Sequence, residues 1–346
     1  MRIFPLLAIL WVSAACGFAQ DIGRMAEAVN AAAKADGFMG SVLVAKGDQV
    51  VFGMSVGWAD AEWEIPNAAT TKFRIGSLTK QFTAASILLL EERGKLSVDD
   101  PISKYIPGVP AAWSPITLRH LLTHRSGIPD FTALPAYPRE WKYSGPSPSM
   151  IFNWVRDQPL EFSPGSKYQY SNTGYVLLGW IIEQVSGQAY REFVKQNIFD
   201  PLGLADSGYD SNTAIIPRRA SGYNTGALGL RHANYIDMRT PHAAGGLYAT
   251  TGDLLKWTQA LFGGKLLQPS SLEKMTNSFR DGYAFGLSIG TKDERKRAAH
   301  AGGIDGFGSF LAYFPASGVT IVVLANIAGP AAPHLEERLE EIYFGR

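Results

Sequence analysis

An α+β fold is predicted by two observations. Strand-like runs lie near both ends of the chain, and helical patterns punctuated by Pro and Gly fill its middle. The two ends pair most simply into one antiparallel sheet covered by the terminal helices. Residues from about 96 to 278 then form a mostly helical second lobe inserted between the sheet segments. A functional site in such a protein is expected between the lobes, where clefts form.

The elements follow in order. A helix is expected over about Asp21 to Ala35, with Met25, Ala28 and Val29 on its apolar face. "SVLVAKGDQVVFGMSVGWAD" reads as a β-hairpin, with Gly47-Asp48 at the turn and Val-rich arms. "FRI" and Gly76 precede an apolar helix that begins at "SLTK" and runs through "AASILLLEERGK". The middle holds helical pieces such as "ITLRHLLTH", "GYVLLGWIIEQVSG", "AYREFVKQNIF" and "TTGDLLKWTQALF". Strand-like runs return in "YAFGLSIG", "RAAHAGG", "GSFLAYFP" and "GVTIVVLAN", with a turn at "PASG" between the last two. "APHLEERLEEIYF" closes the chain as a helix with an apolar face.

Composition bounds the function. A chain of 346 residues can bury roughly three quarters of its unfolded surface, enough for a large core. Its formal charge of +1 argues against nucleic acid as the main partner, since phosphate binding wants a basic face. The N-terminus reads as an export signal over residues 1–19. Arg2 is its charged start and Ile3 to Val12 its apolar stretch, too short to span a bilayer. Gly17-Phe18-Ala19 supplies small residues for cleavage before Gln20. A periplasmic or secreted domain over residues 20–346, with no integral membrane segment after cleavage, is the expectation. The lone cysteine, Cys16, lies inside the signal; lipid anchoring there is the alternative, disfavoured because the usual Leu of a lipobox is absent. The mature chain has no disulfide.

Ser77 and Lys80 carry the first chemical signal. A helix starting at this point puts both side chains on one face, about 5–6 Å apart at Cβ. A serine nucleophile needs a base, a proton donor for the leaving group and an oxyanion hole. Lys80 can be the base if burial lowers its pKa. "YQYSNTGY" offers Tyr170 as a proton shuttle and Asn172 as an amide that holds substrate. "AHAGG" offers His300 and the pair Gly302 and Gly303, whose backbone lets substrate come close and whose N–H groups could complete the hole.

Ser77-Leu78-Thr79-Lys80, Tyr170-Ser171-Asn172 and His300-Ala301-Gly302 resemble, in order and wide spacing, the three motifs of the serine β-lactamase and penicillin-binding superfamily. "LRHLLTHRSGIPD", "PGSKYQYSNTGYVLLGWIIEQVSG" and "GGLYATTGDLLKW" are similar to that family as well. The resemblance is closest to the branch of class C β-lactamases, D-alanyl-D-alanine carboxypeptidases and β-lactamase-fold esterases. It implies Ser77 as the acylated nucleophile, Lys80 as its activating partner and Tyr170 as the general acid/base. It implies Asn172 as a substrate contact and the N–H groups of Ser77 and Gly303 as the oxyanion hole. No cofactor or metal is implied.

The third motif departs from the family pattern. His300 takes the position often held by Lys, and Ala301 lacks the hydroxyl that helps relatives bind a substrate carboxylate. That shifts the expected substrate toward small neutral esters, ahead of β-lactams and peptidoglycan-type D-Ala-D-Ala peptides. A protonated His300 is expected to attract a carboxylate below about pH 6.5. The alternative function is a penicillin-binding sensor that acylates with little turnover. His120 and His124, four residues apart, are assigned structural roles because no third zinc ligand accompanies them. A phosphate-binding G-x-x-x-x-G-K-[ST] loop is absent.

Overall fold

The computed structural model describes residues 12–135, 138, 140–227, 229–278 and 281–345. Most of the segment read as an export signal, residues 1–11, lies outside the described residues, as does the side chain of Cys16. The first helix, α1 (Val12–Ala35), starts earlier than expected and runs through the anticipated cleavage point. Its sequence holds no proline to stop it. Among the described residues no helix is long and apolar enough to cross a membrane.

The antiparallel sheet is present. Its strands are β1 (Gly40–Lys46), β2 (Gln49–Val56), β3 (Ser288–Lys292), β4 (Arg295–Ile304), β5 (Phe307–Phe314) and β6 (Val319–Ala325). They lie in the order β3-β4-β5-β6-β1-β2, so the chain ends meet where β1 pairs with β6, Val42 opposite Val323. Period-two alternation sends Val42 and Val44 to one face and Leu43 and Ala45 to the other. The first face is covered by α1, through Met25 and Val29, and by the C-terminal helix α4 (Ala331–Tyr343), through Leu335, Leu339 and Ile342. The second face joins a large core with α2 (Thr79–Glu92), α3 (Asn172–Ser186) and the helix Thr251–Phe262. Both faces being covered explains why β6 is buried at every position.

Two local differences from the sequence reading matter. "YAFGLSIG" yields a strand only from Ser288, because Gly286 takes φ +70 and its Cα approaches the Lys80 carbonyl too closely for a side chain. The middle region is not purely helical: Phe73–Arg74, Leu247–Ala249 and Gly208–Tyr209 form a small sheet, and Tyr223–Gly226 pairs with Gly229–His232.

α2 is the buried rod that carries the site. Thr79 through Leu90 are all buried, as expected for a helix apolar nearly all round. Its polar side chains are tied inward. Thr83 Oγ1 donates to the Ala243 carbonyl at 2.6 Å, and the Leu247 N–H donates to Thr79 Oγ1 at 3.2 Å. These bonds hold the segment 243–247 against the first turns of α2.

Candidate active site

The turn before α2 decides where Ser77 goes. Gly76–Leu78 forms a 3₁₀ turn, and Gly76 sits at φ +49. A Cβ at Gly76 would lie 2.8 Å from Gly303 N, so only glycine lets this turn approach β4. Gly302 is required for the same closeness from the other side: a Cβ there would run into the Ile75 carbonyl and Ser309 Oγ. Ser77 caps neither helix, since neither N-cap makes a side-chain hydrogen bond. Its hydroxyl is left for chemistry.

Lys80, fully buried, follows on the same helix face. Its Nζ lies 3.0 Å from Ser77 Oγ, 2.9 Å from Asn172 Oδ1 and 2.8 Å from the Ala244 carbonyl. Burial lowers its pKa from 10.5 to about 7, and the Asp130 charge works against that shift. Nζ also sits 4.8 Å from the Tyr170 ring centroid and 5.4 Å from that of Tyr175. Tyr170 donates to Ser77 Oγ at 2.8 Å. Burial pushes the Tyr170 phenol above its ordinary pKa, so it stays a proton donor at neutral pH. Ser77, Lys80, Tyr170 and Asn172 thus meet in one hydrogen-bonded cluster.

Ser77, Asn172 and Gly303 border a cavity of about 270 Å³. Its walls are largely apolar, including Phe131, Ile236, Ala244 and Ile304. Lys142 and Asp305 also line it, joined to each other at 2.7 Å. β3 pairs with β4 only as far as Ala299, so from Ala301 to Ile304 that edge of β4 has no paired strand among the described residues, and Ala301 and Gly303 are exposed. The backbone of Gly303 therefore faces the same space as the N-terminus of the Ser77 turn.

His300 requires a correction. It is 7% exposed, and both ring nitrogens are engaged. Nδ1 lies 2.6 Å from the Ala301 carbonyl and Nε2 lies 2.9 Å from the Tyr283 hydroxyl. A carbonyl only accepts, so Nδ1 carries a proton. Burial, then the Lys80 charge, lower its pKa to about 4, so at neutral pH the ring is uncharged and Nε2 accepts from the phenol. His300 offers the cleft neither a positive charge nor a free nitrogen, contrary to the expectation of carboxylate attraction.

His120 and His124 have different partners. His120 Nδ1 accepts from the Thr117 N–H at 3.1 Å in a helix cap. His124 is buried, accepts from the Ser171 N–H at 3.1 Å and stacks against the Tyr170 ring, centroids 4.2 Å apart. No group of side chains able to hold a metal occurs among the described residues. Asp130 was missed as a partner of the site, although it falls in the family-like stretch "LRHLLTHRSGIPD". Asp130 Oδ2 accepts from Asn172 Nδ2 at 3.0 Å and from the Asn172 N–H at 3.2 Å. The Ala244 carbonyl had no side-chain signal by which to be found.

Comparisons with known proteins bear on the family and the fold. The family model described as Beta-lactamase matches residues 27–343. Penicillin-binding protein 4* of Bacillus subtilis is 30% identical over 312 residues, covering 84% of this chain and 68% of that protein. The crystal structure of a penicillin binding protein from Bacillus halodurans superposes with a TM-score of 0.80 at 29% identity, covering 91% of this chain and 100% of that one. That of D-amino acid amidase from Ochrobactrum anthropi SV3, complexed with D-phenylalanine, gives 0.81 at 26% identity, covering 94% and 98%. With a family match over nearly its whole length and the same fold as these relatives, this chain belongs to the β-lactamase family.

Proposed function

We propose that the chain is an exported serine hydrolase that works through an acyl-Ser77 intermediate, with small neutral esters preferred over β-lactams and D-amino-acid peptides. The observation that carries this reading is the set of partners around Lys80 Nζ. A neutral amine has two N–H donors and one lone pair. The Asn172 and Ala244 carbonyl oxygens only accept, so they take the two hydrogens. The lone pair is left pointing at the Ser77 hydroxyl. A pKa near 7 makes that neutral form abundant at physiological pH.

In this mechanism Lys80 takes the Ser77 proton as Oγ bonds to the substrate carbonyl carbon. The oxyanion is held by the N–H groups of Ser77 and Gly303. When the ester or amide bond breaks, Tyr170 gives its proton to the leaving oxygen or nitrogen and is reprotonated from Lys80. Water then attacks the acyl-serine by the reverse sequence. Asn172 keeps Lys80 in place and lies at the cavity wall, within reach of the acyl group. Support for the ester preference comes from the neutral His300, the missing hydroxyl at Ala301 and the largely apolar cavity.

A substrate panel tests the reading: a short p-nitrophenyl ester, a chromogenic cephalosporin and a D-Ala-D-Ala peptide, with intact mass reporting the acyl-enzyme. Ser77→Ala is expected to lose both turnover and adduct while keeping the wild-type circular dichroism spectrum. An adduct that persists in Ser77→Ala overturns the assignment. A burst equal to the enzyme concentration, with no turnover afterwards, would favour the sensor reading instead.

A further inference from the structure

We propose that Asp130 is a positioning residue: its carboxylate fixes which way the Asn172 amide faces and, through that amide, holds Lys80 on Ser77. The inference rests on the reading of Lys80 as the base. A carboxylate has no hydrogen to give, so the atom of Asn172 that meets Asp130 Oδ2 at 3.0 Å must be the NH₂ group. The amide oxygen is then forced toward Lys80 Nζ, at 2.9 Å. Without that constraint an amide reads equally well either way round, and the flipped form would aim two donors at an amine.

Asp130 is itself locked. Its Oδ1 accepts from the Thr132 N–H at 3.0 Å and the Thr132 hydroxyl at 2.9 Å, while Oδ2 takes the backbone and side-chain N–H groups of Asn172. Four donors on two oxygens leave it no rotamer to wander into. The chain Thr132, Asp130, Asn172, Lys80, Ser77 is therefore a series of bonds whose direction is set at the Asp130 end.

The same carboxylate bears on Lys80 through charge. The groups facing Lys80 are Tyr170, Tyr175, His124, His300 and Asp130. The tyrosines stay protonated and the histidines are held neutral by burial, so Asp130 is the group whose charge favours the ammonium. Two consequences of removing it are separable. Loss of orientation slows acylation at every pH. Loss of charge makes Lys80 easier to deprotonate, so the acid limb of the rate profile moves to lower pH.

The experiment measures kcat/KM for a p-nitrophenyl ester from pH 5 to 9 in the wild type, Asp130→Asn and Asp130→Glu. Asp130→Asn is expected to lose about tenfold or more at its optimum, the usual result of a small misplacement. Its acid limb should fall by about one pH unit, the low end of what a nearby opposite charge does. Asp130→Glu keeps the charge, so its limb should stay in place. In an Asn172→Ala background, Asp130→Asn should slow the reaction far less, because the amide it orients is gone. A slower Asp130→Asn enzyme with an unmoved limb, or the same loss with and without Asn172, overturns the proposal. Should Asp130→Asn not fold, Asp130→Ser carries the same expectation, since its hydroxyl both donates and accepts, so it sets no direction on the amide, and it bears no charge. A wild type that forms no adduct at Ser77 would instead refute the parent reading.

Discussion

The Ser309 hydroxyl donates to the Ile75 carbonyl at 2.8 Å, joining the middle of the sheet to the residue just before the Ser77 turn. Gly302 lies between them with no room for a side chain. Sheet and nucleophile are thus held at one fixed distance, which a hydrolytic site requires of its oxyanion donors.

That relationship makes neighbouring glycines unequal. Gly302→Ala must push the Ile75 carbonyl and Ser309 apart, and overpacking of this kind destabilises by about 1–3 kcal/mol. The same shift moves Ser77 away from Gly303, so activity should fall by about a hundredfold even in the folded fraction. Gly303→Ala meets nothing within 4 Å and keeps its N–H. Its stability should stay within about 0.5 kcal/mol of wild type. Urea denaturation of both variants, beside kcat/KM for an ester, checks the contrast; equal stabilities would refute it.

Lys80 should announce itself in the pH dependence of stability. Its pKa is about 7 in the fold and 10.5 ordinarily. Below pH 7 both states carry the proton, and the full penalty of burying the ammonium opposes folding. Between these values the fold sheds the proton that the unfolded chain retains, so wild-type stability gains about 1.4 kcal/mol per pH unit from this residue. Lys80→Met has no such group. The stability difference, variant minus wild type, should therefore be most positive below pH 7 and decline steadily toward pH 10. A difference that stays flat across that range would mean the amine is not buried as described. Acylation should rise with pH through the same value of about 7, because the neutral amine is the base.

How much of this was legible beforehand differs residue by residue. Strand alternation gave the β1–β2 hairpin with its Gly47-Asp48 turn, because one face of each strand must meet the core. Ser77, Lys80, Tyr170 and Asn172 were legible because their motifs, taken in order with the neighbouring stretches, resemble one family; a Ser and a Lys three residues apart also occur by chance. Asp130 was not, since its work is to orient another side chain and such partners carry no motif of their own. Nor was the neutrality of His300. It depends on burial against groups such as Tyr283, seventeen residues away, in a fold that only tertiary structure reveals.

The last prediction concerns Ala301, which is exposed on the stretch of β4 that β3 leaves uncovered. It stands two residues before Gly303, which lines the cavity. A hydroxyl here could reach a substrate anion lying along that edge, and a hydrogen bond to a charged group is worth about 1.5–3 kcal/mol. Ala301→Thr should therefore raise kcat/KM for cephalosporins and D-Ala-D-Ala peptides by about tenfold or more. Neutral esters, with no carboxylate to meet, should change little. The neutral His300 adds a second condition. Because burial lowers its pKa to about 4, it contributes little charge around pH 6.5, so the gain in Ala301→Thr should show no step near the ordinary histidine value of 6.5. The ratio of cephalosporin to ester kcat/KM, measured across that range in both proteins, reads both conditions at once. A step near 6.5 would mean that His300 is charged and faces the substrate, and an unchanged ratio would mean that the edge of β4 is not where the anion lies.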